Sequence, residues 1–92
     1  MQQELAEIGA MRALAWLAGR EDLLDVFLGS TGTSPEDVRT RAAEPDFLAS
    51  VLDFVLMDDA WVIACAETLE MAPERLIEMR QALPGGGLPN WT

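Results

Sequence analysis

The twenty residues from Phe47 to Ala66, FLASVLDFVLMDDAWVIACA, hold the densest run of large apolar side chains in the chain, and everything else must be arranged to cover them. Phe47, Leu48, Val51, Leu52, Val55 and Leu56 recur at helical spacing and form a wide apolar stripe, with Ser50 and Asp53 on a narrow polar edge. A helix of this kind has to be enclosed on most sides. Asp58 stands where it can N-cap a following helix that carries Trp61, Val62, Cys65 and Leu69. Two packed helices are therefore expected at the centre. The run is long enough to span a bilayer, but Asp53, Asp58 and Asp59 would each cost about 3 kcal/mol near its middle, so a buried helix pair is the better reading.

The rest of the chain supplies helices to pack around that pair. Glu4 to Ala18 reads as a first helix, with Leu5, Ile8, Met11, Leu14, Ala15 and Ala18 on the inner face and Glu4, Glu7 and Arg12 outside, closed by Gly19. A second follows from Asp22 to about Ser30, turning Leu23, Leu24, Phe27 and Leu28 inward and stopping at Gly32. Ser34 as N-cap, Pro35 at the first helical position and Glu36 and Asp37 in the first turn open a short third helix. It ends near Ala43, because Pro45 disfavours helical geometry in Glu44. Pro45 opens a fourth helix to about Met57, Asp59 a fifth to about Glu70, and Pro73 with Glu74 a sixth to about Leu83.

Sliding the sequence against itself by 38 residues lays Leu14 on Leu52, Trp16 on Phe54, Glu21 on Asp59, Leu24 on Val62, Pro35 on Pro73 and Val38 on Leu76. The expected fold is all-α: a compact six-helix bundle built from two three-helix repeats, about 4–43 and 45–83, forming a single domain over 1–83. The remaining residues, 84–92 (PGGGLPNWT), read as a flexible Pro/Gly-rich tail, in which Trp91 is a candidate contact with the body or with a second subunit.

Charge and composition remove most classes of chemistry. The 92 residues carry a formal charge of −10, with six arginines, no lysine and no histidine. Such a surface repels phosphate backbones and anionic lipid, which leaves basic proteins as the favoured partners. Without histidine the commonest general base and metal ligand is missing. Cys65 is the lone cysteine, so no disulfide or cysteine-based zinc site can form within one chain, and its apolar neighbours mark it as core. No cofactor or metal is expected. The acidic start, MQQELAEIGAMR, lacks the basic and apolar regions of a signal peptide, so the cytoplasm is the expected location.

Three constellations remain. Asp53, Asp58 and Asp59 lie near the central corner, with Asp53 expected to be partly buried; paired carboxylates can do acid and base work or hold a hard cation, although N-capping accounts for Asp58. Glu67, Glu70, Glu74 and Glu78, three or four residues apart, suit a solvated face first, with a contact surface for an arginine-rich partner as the functional reading. Residues 28–43, LGSTGTSPEDVRTRAA, have the outline of a helix-turn-helix. Glu36 and Asp37 would meet DNA phosphates unfavourably there, with only Arg39 and Arg41 to offset them.

The ordered landmarks are Ala13 to Ala18 (ALAWLA), Phe27-Leu28, Thr31-Gly32, Ser34-Pro35, Pro45 to Leu48, Val51 to Phe54 (VLDF), Asp58, Pro73-Glu74 and Ala82 to Gly86 (ALPGG). Together they resemble a small alphaproteobacterial family known only as a domain of unknown function, number 3572, over nearly the whole chain. The resemblance implies a compact helical domain in a bacterial cytoplasm and brings no catalytic residue or cofactor. By elimination, the function expected is that of a non-enzymatic acidic module that associates with itself, as a homodimer, or with a basic protein. A helix-turn-helix regulator, or an acid-based enzyme or metal site near Asp53, are the alternatives.

Overall fold

Proline and short polar side chains set the helix starts in the computed structural model, which describes residues 1–85. The helices are α1 (Gln3–Ala18), α2 (Glu21–Thr31), α3 (Pro35–Arg41), α4 (Pro45–Val55), α5 (Asp59–Leu69) and α6 (Pro73–Gln81), and no strand occurs among the described residues. Pro35, Pro45 and Pro73 each occupy the first turn of their helix, where a missing N–H costs nothing. Ser34 accepts from the Asp37 amide while the Asp37 carboxylate accepts from the Ser34 amide, a reciprocal capping box. Asp58 caps α5 by accepting from the amides of Ala60 at 2.8 Å and Trp61 at 3.4 Å.

The stops are local as well. Gly32 closes α2 in the left-handed region at φ 71°, and Thr33 N–H reaches back to the Leu28 carbonyl. At the same place in the second half, Glu70 closes α5 at φ 58°, and Met71 N–H reaches the Ala66 carbonyl. Gly19, by contrast, ends α1 in the right-handed region. Thus α2, α3 and their closing turn line up with α5, α6 and theirs at the 38-residue offset in chain position. Packing does not follow suit: α3 buries no residue, whereas α6 buries Leu76 and Met79.

The run that dominates the sequence does sit in the middle. Seven of the eleven residues of α4 are buried, and Phe47, Leu48, Val51, Leu52 and Val55 are almost wholly removed from solvent. Its main partner is α1, however, not α5. α1, about 24 Å long at 1.5 Å per residue, crosses a molecule 28 × 26 × 25 Å in extent and packs on α2, α4, α5 and α6. It does so with small side chains. Ala6, Gly9, Ala10, Ala13, Leu14 and Leu17 face the core, so the helix can approach its neighbours closely. A Cβ on Gly9 would collide with the Met79 sulfur of α6.

This corrects the expected orientation of α1. Leu14 is buried as read, but Leu5 (57% exposed), Ile8 (54% exposed), Met11, Ala15 and Ala18 lie outside. The helix is apolar nearly all round, and the alanine side wins the core because four neighbours fit against it only at short range. An aromatic cluster closes the other end. The Phe27 ring meets Phe47 and Phe54 edge-on at 5.9 and 5.4 Å, and Trp61 stacks on Phe54 at 4.7 Å, tying α2 and α5 to α4.

Candidate functional site

Among the exposed large apolar side chains, two groups line surface depressions. The first is a groove of about 400 Å³ between α5 and α6, floored by Leu56, Val62, Ile63, Pro73 and Ile77. Ile63 and Ile77 are 58% and 48% exposed, which is unusual for side chains of that size. Asp59, in the first turn of α5, and Glu74, in the first turn of α6, bring carboxylates to the same groove. The second lies along α1, where Leu5, Ile8 and Met11 stand exposed with Met1. A shallow depression there runs from Leu5 and Ile8 towards Met71, Arg75 and Met79.

Of the four glutamates singled out from the sequence, only Glu74 lines the apolar groove. Glu67 is exposed on α5, and Glu70 is the left-handed residue that ends it. Glu78 belongs to α6 and accepts from Arg75 at 3.2 Å, so its charge is already answered within the chain. Asp59, grouped from the sequence with Asp53 and Asp58 as a carboxylate constellation, lines the α5–α6 groove instead. Trp91 lies outside the described residues, as does most of the expected tail.

Asp53 is exposed rather than partly buried. Its place on the polar edge of α4 turns it towards α6, where both oxygens accept from Arg80, at 2.6 Å from Nε and 3.3 Å from Nη2. Arg80 also donates to the Pro84 carbonyl, so this cation ties α4 to the turn after α6. A depression of about 360 Å³ does open beside Asp53, lined by Ser30, Thr31, Ser50, Phe54 and Met57, but the carboxylate's hydrogen bonds run to Arg80. Among the described residues no three acidic or cysteine side chains converge as a metal cluster would require. Cys65 is fully enclosed in α5, and burial pushes its thiol up to about 11, away from the thiolate form a nucleophile needs.

The helix-turn-helix outline of residues 28–43 is realised as α2, the Gly32 turn and α3. Arg41 pairs with Glu44 at 3.0 Å while its guanidinium covers the Phe47 ring, and Arg39 stays exposed with Glu36 3.9 Å away. No helix among the described residues is long and apolar enough to cross a membrane.

Residues 3–86 match the profile of a family described as a protein of unknown function, DUF3572. The chain belongs to the DUF3572 family. Neither the curated proteins nor the solved structures contain a significant match to it. Membership in DUF3572 assigns no function, so what the surface does has to be read from its own residues.

Proposed function

We propose that this DUF3572 chain is a non-enzymatic bacterial cytoplasmic interaction module whose α5–α6 groove receives a basic amphipathic helix from a partner protein. The observation that carries the reading is the pairing of an apolar floor, Val62, Ile63 and Ile77, with carboxylates from two helices, Asp59 and Glu74, on a chain of net charge −10. A helix laying Leu or Ile into the groove would keep its arginines or lysines level with those carboxylates, the usual helix-in-groove mode. Charge would speed the encounter and select the partner, while the apolar floor would supply most of the affinity. Arg80 holding Asp53, the enclosed Cys65 and the absence of histidine from the sequence all favour binding over catalysis.

The test uses a Leu/Arg helical peptide with its leucines on one face and a scrambled peptide of the same composition. Calorimetric titration should give the patterned peptide at least about tenfold tighter binding than the scrambled one. Ile77→Asp should erase that advantage, and added salt should weaken binding. Equal affinity for both peptides would mean that net charge alone attracts them, and the groove reading would fail.

A further inference from the structure

We infer that the outer face of α1 is a homodimer interface in which two copies of the helix pack antiparallel about a two-fold axis through Ile8. This surface shares no residue with the α5–α6 groove, so the inference stands apart from the partner proposed there.

The sequence of the exposed stripe carries the argument. In an antiparallel pair centred on Ile8, residue n of one copy lies level with residue 16 − n of the other across the seam, because the two-fold axis reverses the direction along the helix while each flank of the stripe keeps its side. Ile8 then meets its own image and Leu5 lies opposite Met11, apolar on apolar and all exposed in the single chain. The charged pair obeys the same rule: Glu4 lies level with Arg12, twice per dimer. Arg12 directs one donor to the Leu69 carbonyl at 3.0 Å, which fixes the guanidinium beside the stripe with N–H groups to spare. The stripe lies on the side of α1 away from Ala6, Ala10, Ala13 and Leu17, so a second helix can lie along it without disturbing the core.

Charge also explains why this face, and not another, suits a second copy. Two chains of −10 repel each other, but on the stripe of α1 itself the charge of Glu4 is matched by Arg12. One helix on one helix buries an area at or below the low end of stable interfaces, about 1,200 Å² in total, so the dimer should form in the micromolar range. Because the long-range term is repulsive, raising ionic strength should tighten the dimer as the screening length falls from about 30 Å at 0.01 M to about 8 Å at 0.15 M. Binding of a basic helix in the groove should respond to salt in the opposite sense.

Sedimentation equilibrium on the full chain tests this. Wild type should show a monomer–dimer equilibrium that strengthens with salt, and Ile8→Arg, at an exposed position, should weaken it at least about tenfold with an unchanged circular dichroism spectrum. Glu4→Arg and Arg12→Glu should each weaken self-association, because each puts like charges opposite one another. Mixing the two variants should restore a dimer, since the two arginines of one copy would then face the two glutamates of the other. A chain that stays monomeric into the millimolar range, a dimer indifferent to Ile8→Arg, failure of the mixture to recover, or dimerisation only after residues 86–92 are removed would each overturn the assignment.

Discussion

Cys65 makes the alkaline stability of this protein readable as the titration of one buried group. The chain has no histidine, lysine or tyrosine, so apart from the terminal amine no other side chain titrates between the carboxylates and the arginines. Enclosure in α5 raises the thiol from 9.0 to about 11 in the folded protein. Below the unfolded value both states hold the proton and Cys65 contributes no pH dependence. Between the two values the unfolded chain releases its proton while the folded chain keeps it, so the unfolded state is favoured and stability falls as pH rises. At about 1.4 kcal/mol per pH unit, the loss reaches about 3 kcal/mol by the folded value and then levels off. Urea unfolding followed by circular dichroism under reducing conditions, for wild type and Cys65→Ala across this range, isolates the effect. The substitution lowers stability by a fixed amount near neutrality through the small cavity it leaves. Its stability should then hold where that of wild type declines, so that the gap shifts by about 3 kcal/mol. Parallel curves would show that the thiol is solvated and that α5 does not bury its Cys65 face.

Two further substitutions probe backbone positions. Gly9→Ala forces the buried Met79 side chain to move, at a cost of about 1–3 kcal/mol for overpacking, against about 1 kcal/mol gained in helix propensity; thermal melts should show a net loss, and a gain of about 1 kcal/mol would place Gly9 on the surface. Glu70→Gly should raise stability by about 1 kcal/mol by removing a side chain from the left-handed conformation at φ 58°, as read from urea midpoints; a loss would mean that contacts within the fold hold the glutamate in place.

The helix starts are legible in the sequence because proline and capping residues act locally: Ser34-Pro35, Glu44-Pro45, Asp58 and Ala72-Pro73 need no knowledge of what packs where. The helix class and the central place of Phe47 to Val55 follow from periodicity. The orientation of α1 is not legible, because Leu5, Ile8 and Met11 outweigh alanines on any hydropathy scale, while the advantage of the Ala6, Ala10, Ala13 side arises only when α4, α5 and α6 are there to approach it. For the same reason the sequence sets α5 deeper than it lies: WVIACA is apolar throughout, yet Ile63 faces solvent. Asp53 finds its partner 27 residues away in Arg80, a pairing no local pattern announces. The acidic spacing of Glu67 to Glu78 does include Glu74 of the groove, but the groove itself depends on how α5 and α6 meet, and its other carboxylate, Asp59, is masked by the capping role of its neighbour Asp58.

The proposed dimer face depends on α1 turning its alanines, and not its larger side chains, towards the core. Ile8 and Ala10 are two residues apart and on opposite sides of the helix, the first 54% exposed and the second at 0%. Circular dichroism melts of Ile8→Arg and Ala10→Arg, at concentrations where the chain is monomeric, compare the two sides within one turn. The first should melt within about 0.5 kcal/mol of wild type, and the second, which forces an unpaired guanidinium between α1 and its neighbours, should not fold. A stable Ala10→Arg beside an unfolded Ile8→Arg would contradict the orientation of α1 on which the fold's packing and the proposed dimer rest.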